Sequence, residues 1–285
     1  IGEVHIPGEV EECFVLAAHL DHPAMVNDDL SGVVVGLDTA RSLLAGPKPH
    51  YSYRLLIFPE TQGSIAYLSQ HEDLIPKMKG GLFLEMLGND APHALQTSFQ
   101  PHSQADKALV TALRGKEPGA YVGGYRSIID NDERQFNSPG VRVPMLSLSR
   151  VENPEKPESR FAPFPEYHSS LDTPDIVSAE RLTASRDLVL DLLESFDRNR
   201  YVVNHFKGEI FASGYGIWVD YRDNPEGHKQ LFEIAERCDG TRTPADIAEE
   251  LGLSFQAVWQ VLEQLLEHEL VSLSDTPQPS DPHSI

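Results

Sequence analysis

The stretch CFVLAAHLDH at residues 13–22, followed by SGVVVGLDTARSLLA at residues 31–45, decides the fold. Residues 13–18 form a short apolar run that ends at His19, and such a run predicts a buried strand. Residues 31–45 place their apolar side chains at the period of a helix, which the Gly-Pro pair that follows is predicted to end. A buried strand that leads into an amphipathic helix is the building unit of α/β proteins.

The same alternation continues through most of the chain. We predict further buried strands at Tyr53–Phe58, Gly81–Met86 and Val143–Ser149. We predict helices at Gly63–His71, Ala105–Arg114 and Ala179–Phe196. Strands that alternate with helices indicate the α/β class, with a mostly parallel sheet that is flanked by helices.

The pattern changes to short helices after about residue 205. Residues 206–219 indicate irregular or β structure, and we predict three helices at Gly227–Cys238, Pro244–Leu251 and Phe255–His268. The final residues are rich in Pro and Ser, which is typical of a disordered tail. The predicted organisation is an α/β domain at residues 1–203, a small helical domain at 206–274 and a tail at 275–285.

The composition disfavours two classes of partner. The 285 residues include 23 Lys and Arg against 44 Asp and Glu, a net charge of −21, which repels phosphate backbones and anionic lipid. No apolar run approaches the roughly 20 residues of a membrane span, and the first residues do not fit a signal peptide. Cys13 and Cys238 are too few and too far apart for a disulfide framework, so a reducing, cytoplasmic setting is expected.

Polar clusters follow the predicted strands at the point where each strand ends. They are HLDH at 19–22, NDDLSG at 27–32, PET at 59–61, the single Glu85, and Tyr167 with His168. Ligands bind outside the carboxyl ends of the strands in an open α/β sheet, so these residues are expected to converge in one crevice. Two imidazoles with several carboxylates form a ligand set that zinc takes in catalytic sites.

Single members of these clusters also have structural interpretations. Asp28 and Asp29 fit acidic residues at a helix N-terminus, and Asp132 fits a local ion-pair cluster. We interpret His22 as a neighbour of the site rather than a ligand. Glu85 indicates function most strongly, because a carboxylate inside an apolar run is costly to bury unless it is paired or bound to a metal.

Five motifs in the same order carry a resemblance to a known group. HLD, NDDLSG, FPET, FLEMLG and YHSSLDTPD together resemble the M28-type zinc aminopeptidases. PETQGSIAYL at 59–68, DNDERQFNSPG at 130–140 and FPEYHSSLD at 164–172 are similar to aminopeptidase-like proteins of the DUF4910 type. These are often linked to polysaccharide biosynthesis and have a C-terminal winged helix-turn-helix, which the helices after residue 225 resemble.

The resemblance implies a role for each residue that matches a motif. His19 and Glu85 would bind one zinc ion, His168 would bind another, and Asp28 would bridge the two. Asp21 would hydrogen-bond His19 and hold its tautomer. Such domains usually have a long stretch before the first metal-binding histidine, whereas here 18 residues precede it. On this resemblance we expect either a fragment or a form with a reduced N-terminal part.

The sequence departs from the aminopeptidases at Glu60 and Thr61. Those enzymes have two consecutive Glu residues there, a general base followed by a metal ligand. Aligned through Gly63, Glu60 takes the position of the base and Thr61 leaves a ligand missing; alternatively, Glu60 is the ligand and no base remains. The number of zinc ions, one or two, stays open. Asp132 matches an Asp that supports the site without binding metal.

Two functions from different classes follow. The first is a zinc-dependent hydrolase of the aminopeptidase type that cleaves an N-terminal peptide bond or an aminoacyl amide, with Glu60 moving the proton. The alternative is a catalytically weak metal-binding scaffold that acts through its winged helix, in polysaccharide biosynthesis. Residues 225–275 contain three basic and eleven acidic residues, so we expect this module to contact a protein or a second copy of the chain, and not DNA.

Overall fold

The computed structural model describes residues 1–23 and 25–279. It divides the chain into two compact units, Ile1–Asp197 and a second unit that begins at Arg198. The disordered tail predicted at 275–285 lies, from residue 280 onward, outside the described residues. No helix in the described part of the chain combines the length and the apolar character that crossing a membrane requires.

The first unit contains a mixed sheet of seven strands. They are β1 (Gly2–Ile6), β2 (Cys13–His19), β3 (Ser52–Phe58), β4 (Met78–Glu85), β5 (His93–Gln96), β6 (Tyr121–Gly123) and β7 (Met145–Arg150). Their order in the sheet is β1-β3-β2-β4-β7-β5-β6. The four central strands are parallel, whereas β1 and β5 each run antiparallel to a neighbour. The prediction of a mostly parallel α/β sheet is confirmed.

Five helices accompany this sheet. They are α1 (Ser31–Ala45), α2 (Gln62–Gln70), α3 (Gln104–Lys116), α4 (Glu133–Asn137) and α5 (Ala179–Arg198). Helix α1 packs against β2 and β4, α2 against β3, and α3 against β4. Because helices cover its central strands, every residue of β2 is buried, so this strand appears in the sequence as a continuous apolar run.

Three central strands end at the same edge of the sheet. His19, the last residue of β2, pairs in register with Phe58, the last residue of β3. Ala17 pairs with Phe83 in β4, so two residues further along the same register His19 lies beside Glu85. The parallel pairing therefore brings the polar residues at these strand ends together.

Gly32 allows α1 to begin directly against the backbone of β4. A Cβ atom at this position would lie 2.4 Å from the carbonyl oxygen of Leu84 and 2.5 Å from the carboxylate of Asp29. The backbone N–H of Gly32 donates to Asp29 Oδ1 at 3.0 Å. The start of the helix, Asp29 and the end of β4 are therefore one tightly packed structure.

The second unit is a small helical domain with a two-stranded sheet. It contains β8 (Tyr201–Asn204), α6 (Pro225–Ala235), α7 (Pro244–Leu251), α8 (Phe255–Glu267) and β9 (Val271–Ser274), with β8 antiparallel to β9. Thr243 and Asp246 form a capping box at the start of α7, and Gly252 ends that helix in the left-handed conformation. Ser254 caps α8, and residues 206–219 contain no strand.

We predict that Gly32→Ala destabilises the first unit, whereas Gly119→Ala does not. The added methyl group at Gly32 meets a backbone oxygen that cannot rotate away, and such overpacking costs about 1–3 kcal/mol. A methyl group at Gly119 meets no atom within 4 Å, so this variant controls for the loss of glycine itself. Urea unfolding followed by circular dichroism measures both. Equal free energies of unfolding for the two variants would contradict the prediction.

Candidate metal centre

The candidate site lies at the carboxyl ends of β2, β3 and β4. His19 and Glu85 are the last residues of β2 and β4, and Glu60 follows β3 after one proline. Asp28 lies in the turn between β2 and α1, and His168 in the loop that follows β7. The structure thus brings together all the residues that the sequence analysis proposed for the site.

His19 faces two carboxylates with one nitrogen and a third with the other. Its Nε2 lies 3.1 Å from Asp28 Oδ1 and 3.8 Å from Glu85 Oε1. Its Nδ1 lies 2.8 Å from Asp21 Oδ1, a hydrogen-bond distance. Since Asp21 accepts the Nδ1 proton, Nε2 is directed at the other two carboxylates, an orientation common to metal-binding histidines.

Two further imidazoles meet the second oxygen of Asp28. His168 Nε2 lies 3.1 Å from Asp28 Oδ2, and His22 Nδ1 lies 3.3 Å from the same oxygen. The His168 ring also stacks on Tyr167 at 3.9 Å between centroids. Asp28 is therefore the centre of the cluster, because each of its oxygens faces at least one imidazole nitrogen.

The donor set at this site fits a divalent cation. His19, Asp28 and Glu85 are each at most 1% exposed. Several of their atoms lack a well-aligned hydrogen bond within the described residues, namely His19 Nε2, both carboxylate oxygens of Asp28, and Glu85 Oε2. Buried charged atoms without partners cost several kcal/mol, so convergent ones indicate a bound cation. His19, His22 and Asp28 also place one ligand atom each within 4.8 Å of one another.

Burial and mutual charge set the protonation of these groups. Burial alone would lower the pKa of His19, but the carboxylates of Asp28 and Glu85 outweigh it and raise that pKa to about 12. Burial raises the pKa of Glu85 and raises that of Asp29 well above its usual range. Burial acts in the same direction on Asp28, but the nearby imidazoles, His19 first, hold its pKa below the usual value.

Asp172 fixes the turn that contains Asp28. Its carboxylate accepts the backbone N–H groups of Val26, Asn27 and Asp28 at 3.1, 2.7 and 3.0 Å. The peptide bond between Asp28 and Asp29 is cis. Because Asp172 follows His168 by four residues, these bonds also hold the His168 loop against the turn.

Glu60 lies at the accessible rim of the cluster. Its side chain is 32% exposed, and Oε2 lies 3.7 Å from His22 Nε2. Its backbone N–H donates to Asp21 Oδ2 at 3.1 Å, and Arg134 Nη2 lies 4.0 Å from Oε1. A carboxylate held in this way can reach both the cluster and solvent.

Asp132 supports the turn after Glu60 and does not face the other clustered atoms. It accepts the backbone N–H of Thr61 at 2.9 and 3.1 Å and the hydroxyl of Ser64. Thr61 has a φ of +60°, a conformation that few non-glycine residues adopt. Asp132 therefore holds the turn that positions Glu60, which agrees with the supporting role that the resemblance implies.

Two residues that were not predicted as members of the site contact the cluster. Asn131 donates from its side-chain amide to Glu85 Oε1 and thereby orients that carboxylate. His22, which the sequence places beside the site, faces both Asp28 and Glu60. Its position within the HLDH motif was the available signal, but only the course of the loop brings its ring to Asp28.

Comparisons with known proteins agree with this geometry. A family model described as "Domain of unknown function (DUF4910)" matches residues 1–199. A Clostridium acetobutylicum protein described as "Putative polysaccharide biosynthesis protein with aminopeptidase-like domain" is 32% identical over 279 residues. The crystal structure of a "putative peptidase" from the same species has a TM-score of 0.83 and 30% identity over 95% of this chain. The chain covers 61% and 60% of these two relatives, respectively.

Two aminopeptidases of known structure share the fold of the first unit. The zinc aminopeptidase from Bacillus subtilis has a TM-score of 0.53 and 22% identity, with 64% of this chain and 46% of that one covered. The aminopeptidase from Aneurinibacillus sp. strain AM-1 has a TM-score of 0.54 and 21% identity, with 65% and 43% covered. The α/β architecture is therefore that of aminopeptidase structures.

We predict that zinc binding releases protons and strengthens with pH. With a pKa of about 12, His19 is protonated throughout the neutral range, and zinc binds only the neutral imidazole. Displacing one proton should raise the zinc affinity about tenfold per pH unit between about pH 6 and pH 8. Titration calorimetry in buffers of different ionisation heat counts the protons. An affinity that does not change with pH would contradict a protonated His19.

Proposed function

The chain belongs to the DUF4910 family, and on that premise we propose that its first unit is an M28-type, zinc-dependent hydrolase of the aminopeptidase type. The substrate class is an N-terminal peptide or an aminoacyl amide. The observation that carries this proposal is the convergence of His19, Asp28, Glu85 and His168, with buried atoms that lack well-aligned hydrogen bonds.

The residues around Asp28 would hold zinc. His19 and Glu85 lie on the side of Asp28 Oδ1, and His168 on the side of Oδ2, so one carboxylate can serve two positions. Zinc in such a site would polarise the scissile carbonyl and make a water molecule more acidic. Asp21 holds the His19 ring in the orientation that directs Nε2 at the cluster.

Glu60 is the proposed general base. Its carboxylate is near the cluster but partly exposed, so it can take a proton from the attacking water and deliver it to the leaving amine. Its main chain is fixed by Asp21, and the turn behind it by Asp132. Arg134 Nη2 lies 4.0 Å from Oε1 on the other side of the carboxylate.

The departure at Thr61 favours a second candidate function. A threonine hydroxyl is a weak zinc ligand beside a carboxylate, so a site without that carboxylate can bind metal and turn over slowly. The chain would then be a catalytically weak scaffold that acts through its second unit. The name of the Clostridium acetobutylicum relative supports a place in polysaccharide biosynthesis for either candidate.

We predict that Glu60→Gln keeps its zinc and loses turnover of aminoacyl p-nitroanilides. The amide cannot accept a proton, and general acid–base catalysis typically contributes about 10²–10⁴-fold. Glu72→Gln, at an exposed position in the same unit, is the matched control and should match the unchanged protein. Loss of zinc in Glu60→Gln would instead identify Glu60 as a ligand. Unchanged zinc and unchanged turnover would favour the scaffold.

We propose that the second unit is a winged helix-turn-helix that contacts protein rather than nucleic acid. Helix α8, which would enter a groove, contains no Lys or Arg. Glu250 accepts from Arg237 at 3.2 Å and from Arg242 at 2.7 Å, and Lys229 lies 3.8 Å from Glu233, so all three basic side chains after residue 225 are paired with acid. Exposed aromatic residues are common at protein interfaces, and this unit exposes Phe211, Tyr215, Trp218 and Tyr221.

We predict that the whole chain does not shift a DNA duplex in a low-salt gel. Residues 225–275 have a net charge of −8, so binding would release few counterions from the phosphates. A basic winged-helix protein on the same gel serves as the positive control. A sub-micromolar shift that Arg237→Ala weakens would contradict the proposed protein contact.

The two cysteines indicate the cellular compartment of the chain. Cys13 and Cys238 are both free and buried, and thiols are maintained in reducing compartments. We therefore propose a cytoplasmic location.

A further inference from the structure

We propose that His22 is a metal ligand. Its Nδ1, together with His168 Nε2 and Asp28 Oδ2, would hold a second divalent ion beside the one held by His19, Glu85 and Asp28 Oδ1. This inference rests on the proposed metal-dependent function, and it changes our interpretation of His22 as a neighbour of the site.

The distances around Asp28 Oδ2 fit one shared ion. His22 Nδ1 lies 3.3 Å and His168 Nε2 lies 3.1 Å from that oxygen. Two ligand atoms that are each about 2.0–2.1 Å from a tetrahedral zinc ion lie about 3.3 Å apart. Each of the two nitrogens is therefore spaced from Asp28 Oδ2 as a neighbouring ligand of one ion would be, and the centroids of the two imidazole rings are 5.0 Å apart.

Pairing of charges without a metal explains this cluster poorly. Three imidazoles, those of His19, His22 and His168, face the two oxygens of Asp28. If all three were protonated, three positive charges would share one carboxylate. If they were neutral, the rings of His19 and His22, each of which has a carboxylate at both nitrogens, would each turn one lone pair toward a carboxylate that can only accept hydrogen bonds. In agreement with this, His22 Nδ1 is buried and has no well-aligned hydrogen bond within the described residues.

The other nitrogen of His22 faces a carboxylate, the kind of group that commonly orients a metal-binding histidine. His22 Nε2 lies 3.7 Å from Glu60 Oε2, so a small rotation of either side chain gives a hydrogen bond. Such a carboxylate fixes the ring and its tautomer. His22 would thus connect the proposed general base to the second ion.

His22 also supplies the ligand that Thr61 does not. With His22 in place, Glu60 need not bind the metal and can remain the base. A donor set of two imidazoles and one carboxylate favours zinc over the harder magnesium and calcium ions, which prefer oxygen. The second position is therefore expected to be selective for zinc.

Zinc content after extensive dialysis tests the proposal without an activity measurement. The unchanged protein should retain two zinc ions per chain. His22→Ala and His168→Ala should each retain one, and His102→Ala, at an exposed position, should retain two. Circular dichroism shows whether each variant is folded.

A matched pair of variants separates a ligand from a structural neighbour. His22→Asp places a carboxylate oxygen as many bonds from Cα as the Nδ1 that it replaces, whereas His22→Asn has nearly the same shape with a weaker donor. If His22 is a ligand, the His22→Asp variant keeps the second zinc, and the His22→Asn variant binds it more than about 100-fold more weakly. That loss is larger than the one expected when a residue that only hydrogen-bonds a metal ligand is removed. A structural role predicts equal zinc affinities for the two variants. This comparison decides the question even if His22→Ala does not fold.

The outcomes distinguish this inference from the proposed function. If the unchanged protein retains no zinc, both are overturned. If it retains one ion, or if His22→Ala retains two with unchanged affinity, only the role of His22 is overturned. Loss of one ion in His22→Ala, with two in His102→Ala, supports it.

Discussion

The buried carboxylates around His19 are the constraint on which the first unit depends. Asp28, Asp29 and Glu85 are almost completely buried and lie within one cluster. Their mutual repulsion and desolvation must be offset by hydrogen bonds, by imidazoles or by a cation. Asp29 uses hydrogen bonds, because its Oδ1 accepts from Gly32 and Met86 at 3.0 Å each. Both oxygens of Asp28, Oδ2 of Asp29 and Oε2 of Glu85 have no well-aligned hydrogen bond within the described residues. Of these, the Asp28 oxygens face imidazole nitrogens, which makes them the atoms best placed for a metal.

Much of the surrounding structure serves to hold this cluster in place. Asp172 holds the turn of Asp28, Asn131 orients Glu85, and Asp132 holds the turn after Glu60. These three residues lie in loops after β6 and β7, far in sequence from the strand ends that they support. A rigid sheet holds loops of this kind in position. Catalytic residues are commonly found on such loops.

The sequence predicted the fold and most of the cluster for identifiable physical reasons. Parallel strands buried on both faces produce apolar runs, and the ends of such strands meet at one edge, so His19 and Glu85 could be placed together. Strands β1, β5 and β6 have three to five residues, too few to show a period, and were not predicted. The position of His22 depends on the course of a loop, which local sequence patterns do not specify.

Anomalous diffraction at the zinc absorption edge, from crystals of protein purified without added chelator, tests the central claim most directly. The account predicts one peak between His19, Glu85 and Asp28 Oδ1, and a second between His22, His168 and Asp28 Oδ2. Two zinc ions that share a carboxylate in this way lie about 3.5–4 Å apart. A map with no peak beside Asp28, from crystals grown with excess zinc, would contradict the account.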